Sequence, residues 1–152
     1  MFKTIVIATD GSASAQQAVE FGLELAAEQK AEPIFVHVVP AVDVVPAAGF
    51  GVTSAWPHDV TESDRAPLEE AAGVAAEQGM HARTELLKGI PVDEIVAYAD
   101  AVDADLIVMG SRGHGAVLNA LLGSVSHGVL HEARRPVLIV RATSVPAEAL
   151  VT

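Results

Sequence analysis

The chain has 152 residues, 51% of them hydrophobic but only 4% aromatic, a balance that suits helices laid on a parallel sheet in one domain better than an aromatic-rich sandwich. It contains no cysteine, which excludes disulfides, thiolate zinc sites and a cysteine nucleophile. Twenty acidic against nine basic side chains leave a net charge of −11, which speaks against nucleic-acid binding and sets an overall field that repels anions.

No apolar run approaches the roughly 18 residues needed to cross a bilayer. Met1–Ile7 enters a strand-like run without a cleavage site, so the expectation is a cytoplasmic chain with no membrane insertion. Residues 1–142 are expected to form a single domain and 143–152 a loosely packed C-terminal tail.

Lys3–Thr9 is apolar on both faces and predicts a central first strand. Asp10–Ser12 makes a turn, and Ser14 with Gln17 three residues later predicts a capping box at the start of a helix. That helix is expected to face the core through Ala18, Phe21, Leu25 and Ala26 and to end near Lys30. Pro33–Val39 predicts a second strand, stopped by Pro40. From 40 to about 61 no regular period emerges among Pro40, Pro46, Gly49, Gly51, Pro57 and the only tryptophan, Trp56. A lid, a contact surface and a disordered insertion are all open readings of that stretch.

A helix returns from about Ser63 to Gln78 and closes on Gly79. His81–Leu87 alternates like an edge strand, and Pro91 opens a helix that turns Ile95, Val96 and Ala99 inward. Ala104–Met109 predicts a buried fourth strand, Val125–Ala133 a fourth helix and Pro136–Val140 a fifth strand. Five strands in strict alternation with helices predict an α/β fold with an open, doubly wound parallel sheet.

Two strand ends are unusual. The fourth strand runs into Gly110, Arg112 and Gly113, followed by Gly123 and Ser124, in a G-x2-G-x9-G-S pattern that has neither the Walker nor the dinucleotide spacing. Glycines there let the backbone come close to a ligand, and the free N–H groups of a helix beginning at Gly123 can hold a phosphate. A plainer role, with the glycines only turning the chain and Ser124 only capping its helix, is compatible with that one. Asp10, ending the first strand, either accepts hydrogen bonds from a ribose or stabilises the helix start behind it. Arg112 either pairs with a phosphate or is a solvated loop arginine, and His114 is a weaker phosphate neighbour.

His37 reads as a core histidine. His127 and His131 stand four apart on one helix, a metal-compatible spacing, but no third ligand is suggested nearby and a helix surface is the expectation. Ser12 and Ser14 have no histidine base close in sequence and no G-x-S-x-G elbow exists, so covalent catalysis has little support.

Taken together, Ile5–Ser12, His37–Val39, Met109–Gly113 and Pro136–Val140 resemble a universal stress protein over about residues 2–141, and the glycine pattern is similar to that of the family's ATP-binding members. The resemblance implies an adenine nucleotide alpha hydrolase-like sheet in the order 3-2-1-4-5 with helices on both faces, and a homodimer formed through the last strand. It implies that Asp10 meets the ribose, that Val38 meets the adenine, and that Ala8, Thr9 and Met109 line base and sugar. Gly110, Arg112 and Gly113 would wrap the phosphates, with Gly123, Ser124, Val125 and Ser126 completing the cradle. ATP or another adenine nucleotide is the implied ligand; magnesium could bridge its phosphates, although no acidic residue of the motif is an obvious metal ligand. The implied function is a nucleotide-dependent regulator in the stress response with little or no catalysis, its nucleotide state altering its dimer or a regulated protein partner. A slow ATP-hydrolysing or nucleotidyl-transfer enzyme on a similar sheet is the alternative, and a nucleotide-free scaffold is the third reading.

Overall fold

A computed structural model describes residues 1–46, 53–112 and 122–141. Five parallel strands form the central sheet: β1 (Thr4–Ala8), β2 (Glu32–Val39), β5 (Arg83–Lys88), β6 (Leu106–Gly110) and β7 (Val137–Val140). Their spatial order is β5-β2-β1-β6-β7, which is 3-2-1-4-5 when only these five are counted. Between β2 and β5 the chain adds an antiparallel hairpin, β3 (Val42–Pro46) with β4 (Thr53–Pro57). The helices are α1 (Ala13–Gln29), α2 (Glu62–Glu77), α3 (Pro91–Ala101) and α4 (Ser124–Glu132).

The central strands are apolar on both faces because both are covered. Ile5, Ile7, Phe35 and Val108 pack toward α1 and α2, whereas Val6, Ile34, Val36 and Ile107 pack toward α3 and α4. Each fully buried aliphatic side chain contributes about 1.5–3 kcal/mol, more than the whole spread of strand propensities, so burial sets these strands. At the amino end of the sheet, Asp105 accepts from the N–H groups of Lys3 (2.7 Å) and Thr4 (2.9 Å), which fastens β6 beside β1. Those two backbone donors hold the Asp105 carboxyl below the usual carboxylate range. On the α3–α4 side, Arg135 binds Asp100 and Asp103 and donates to the Ala104 carbonyl, tying the connections before β6 and β7 together.

Several local expectations change. Ser12, not Ser14, caps α1: its hydroxyl accepts from Ala15 N–H, and Ser14 lies buried inside the first turn. The core stripe of α1 runs through Ala15, Ala18, Val19, Leu23 and Ala26, while Phe21 is 46% exposed and Leu25 only half-buried. A 3–4 spacing fits two adjacent stripes, and the buried one adjoins Gly22, where a Cβ would lie 2.7 Å from Ile7 Cδ1 on β1. The stretch 40–61, expected to be irregular, carries the hairpin, and β3 is exposed throughout. Gly79 takes the left-handed conformation (φ +72°) just past α2, as expected of a residue ending a helix. The expected tail lies outside the described residues.

Gly110, at the end of β6, is required by packing. A Cβ there would lie 2.5 Å from Ser14 Oγ and 2.7 Å from the backbone carbonyl of Ser14. Gly110→Ala is therefore expected to destabilise the protein by about 1–3 kcal/mol in urea unfolding, because helix backbone cannot yield as a side chain can. By contrast, the Tyr98 hydroxyl on α3 is buried and has no hydrogen-bond partner among the described residues. Tyr98→Phe should leave stability unchanged or raise it by up to about 1 kcal/mol in the same assay; a clear loss would show that the hydroxyl is satisfied in solution.

Candidate functional site

The sheet reverses direction of winding between β1 and β6: from β1 the chain steps outward to β2 and β5, then returns to add β6 and β7 on the other side. Carboxyl ends of adjacent strands diverge at such a point and leave a crevice. A cavity of about 260 Å³ lies there. Of the predicted site residues, Ala8, Thr9, Asp10, Val38, Met109, Gly110, Arg112, Gly123, Ser124, Val125 and Ser126 all line it. Gly113, and His114 beside it, lie outside the described residues.

One wall is apolar. Val36, Val38 and Met109 come from strands, and Pro91 and Ile95 from the first turns of α3. Sequence reasoning missed Val36, Pro91, Ile95 and Ala15 as cavity residues. The signal for Pro91 and Ile95 was available: a helix that follows a parallel strand begins at the strand's carboxyl edge, where the crevice opens. His37, expected in the core, is only half-buried and lines the cavity.

The opposite wall is polar and cross-braced. Asp10 Oδ1 accepts from Ser12 N–H at 2.9 Å, so it stabilises the turn into α1 while its carboxylate borders the cavity. Ser12 Oγ donates to the Arg112 carbonyl (3.4 Å), and Ser14 Oγ accepts from Arg112 N–H (3.3 Å). Both the N–H and the carbonyl of Arg112 are thus held by the start of α1, while the residue is exposed at the cavity rim. On the far side, Gly123 N–H donates to the Ser111 carbonyl (2.6 Å), and the Ser126 hydroxyl lies 2.9 Å from that carbonyl and 3.1 Å from the carbonyl of Gly123.

Gly123 is the N-cap of α4 and no side chain caps the helix; Ser124 is its first helical residue and is exposed. The N–H groups of Ser124, Val125 and Ser126 have no acceptor within the helix, as geometry dictates for a first turn. Ser124 as a mere cap is therefore set aside. The turn presents donors and the positive end of the helix dipole to the cavity, a setting that favours an anion. His127 and His131 stand exposed on α4, and among the described residues no three histidine or carboxylate side chains converge as a metal site would require.

Comparison with known proteins agrees with this geometry. A model of the universal stress protein family matches residues 1–141. A universal stress protein of Methanocaldococcus jannaschii is 37% identical, covering 93% of this chain and 83% of its own. One from Bacillus subtilis is 36% identical, covering 93% of this chain and all of its own. Among solved structures, a universal stress protein in complex with cAMP superposes with a TM-score of 0.68 at 31% identity, over 91% of this chain and 96% of that one. Another, from Archaeoglobus fulgidus, gives 0.68 at 27% identity over 92% and 94%. A shared sheet order, a match over nearly the whole length and identities above one third lead to one conclusion: the chain belongs to the universal stress protein family.

Proposed function

We propose that the crevice binds an adenine nucleotide, ATP foremost, and that the protein acts as a nucleotide-dependent regulator in the stress response rather than as an efficient enzyme. The observation that carries this reading is the pairing of an apolar slot with an uncapped helix N-terminus in one cavity. Val36, Val38, Pro91, Ile95 and Met109 suit the faces of a purine, whose burial is favourable and non-directional. Asp10 suits a ribose hydroxyl, and the N–H groups of Ser124, Val125 and Ser126 suit phosphate oxygens, with the Arg112 guanidinium able to reach them from the rim. The relative solved with cAMP supports an adenine nucleotide as the ligand class.

The described lining contains one carboxylate, Asp10, already engaged with Ser12 N–H. These residues do not make a ligand set for a divalent cation, so any magnesium would arrive with the phosphates and keep water as its other ligands. The same inventory supports the reading of a poor catalyst. Although His37 lines the cavity, it alternates with Val36 and Val38 along β2, so its ring stands on the other pleat from the apolar wall.

The edge strand β7 carries four half-buried aliphatic residues and an outer edge that no described strand pairs, which supports a homodimer through that strand. Changes transmitted to that dimer, or to a regulated protein partner, would make the nucleotide state legible in the cytoplasm. No helix among the described residues is long and apolar enough to cross a membrane.

Calorimetric titration with ATP, AMP and cAMP tests the proposal: ATP should bind well below millimolar. Arg112→Ala should weaken ATP roughly tenfold while leaving adenosine nearly unchanged, because a charge-assisted contact contributes about 1.5–3 kcal/mol before solvent screening at the exposed rim reduces it. Absence of ATP binding below millimolar would sink the reading. Phosphate release faster than about one per second, the lower end of ordinary turnover, would make the protein an enzyme instead. Sedimentation equilibrium should return twice the chain mass.

A further inference from the structure

The hairpin β3–β4 is joined to the body of the protein by polar contacts centred on His58, the residue directly after β4. Its ring Nδ1 lies 2.7 Å from Asp43 Oδ1 on β3, and its Nε2 lies 2.7 Å from Asp64 Oδ2 in the first turn of α2. A neutral imidazole has one N–H and can donate to only one of these carboxylates; the other contact would set a ring lone pair against a carboxylate lone pair. Only the imidazolium donates in both directions. We infer that His58 is a proton-dependent clasp, holding the β3–β4 hairpin against α2 when charged and releasing it when neutral.

The surroundings of the ring agree. Asp64 Oδ2 also accepts from Thr61 N–H (2.9 Å) as half of a capping box, so the α2 side of the clasp is anchored in a helix and cannot follow a departing hairpin. Asp43 lies directly opposite Trp56 in the hairpin register, so the β3 side of the clasp belongs to the moving unit. Lys88, at the end of β5, reaches the backbone carbonyl of His58 (3.3 Å) rather than its ring. His58 N–H donates to the Ala41 carbonyl (3.0 Å) and closes the base of the hairpin. Apolar burial contributes little, since Val44 is 61% and Trp56 64% exposed. A two-stranded hairpin without a buried face is marginal in water, which gives the clasp its leverage.

The pH window follows from the two partners. Hydrogen bonds from the ring to Asp64 first and to Asp43 second raise the His58 pKa above its ordinary value. The stabilisation is therefore complete below the pKa of an unfolded histidine and is lost as pH rises through the raised folded value. Asp64 sets the acid limit: Thr61 N–H and then His58 hold its carboxyl low, so its contribution disappears only as pH falls through that lowered value.

Trp56 is the only tryptophan and reports on the hairpin directly. Fluorescence anisotropy of Trp56 in the full-length protein should be high at mildly acidic pH and fall as His58 deprotonates, with the His58 ring followed by nitrogen-detected NMR in the same samples. Asp43→Asn, which keeps the shape but removes one charge, should move the midpoint to lower pH. His58→Gln should abolish the transition while hydrogen exchange in β1 and β6 remains unchanged. The inference is overturned if His58 titrates at or below the ordinary histidine value. It is equally overturned if the anisotropy step persists in His58→Gln, or if His58 titrates high without any change at Trp56.

Discussion

The structure depends on how closely the first turn of α1 approaches the end of β6. That contact admits no side chain at Gly110, because the space a Cβ would occupy is taken by backbone and hydroxyl atoms of Ser14. Once the two elements touch there, the Ser12 and Ser14 hydroxyls reach the peptide of Arg112. The turn after β1 and the segment after β6 then become one unit, although a hundred residues separate them. Asp10 and Arg112 border a common cavity for this reason. The glycine thus acts first through packing, and its effect on a ligand is to set where the cradle wall stands.

A protein with a net charge of −11 that is proposed to hold an anion faces an unfavourable mean field. The arrangement answers with partial charges fixed in place rather than with mobile side chains. Three N–H groups of α4 and the end of its dipole sit within the cavity, where screening is weaker than at the surface. The Ser126 hydroxyl and the Gly123 N–H converge on the Ser111 carbonyl and hold that helix end against β6. Backbone donors held this way need no reorganisation on binding, so the local term can exceed a long-range repulsion that salt diminishes.

Much of this was legible in the sequence, for physical reasons that differ from element to element. The strands β1, β2 and β6 are buried on both faces, so their continuous apolar runs declare themselves, and their alternation with helices implies the doubly wound sheet. The sheet order and the grouping of Asp10, Val38 and the glycine segment came from family resemblance, since spacing alone does not make β1 and β6 neighbours. The cap of α1 was misplaced because only Ser14 has a glutamine three residues on, whereas the helix starts from Ser12, whose hydroxyl caps Ala15 N–H and also reaches Arg112. Phe21 was assigned to the core by its 3–4 spacing with Ala18 and Leu25, whereas the buried stripe is the neighbouring one through Ala15, Val19 and Leu23. The hairpin escaped because neither of its faces is buried, leaving no period to read.

That last failure also explains how the molecule divides its stability. The sheet and its helices are held by fully buried aliphatic contacts, each contributing kilocalories, and open only with the whole domain. The hairpin has no such contacts on β3, and the polar ties at its base involve side chains whose charge depends on protons. Segments of that kind occupy the low-stability end of a fold, where small free energies shift populations. Release of the hairpin would therefore leave β1, β6 and the cavity between them intact. A fold built in this way can alter one surface while the crevice keeps its shape, because the two are stabilised by interactions of different kinds.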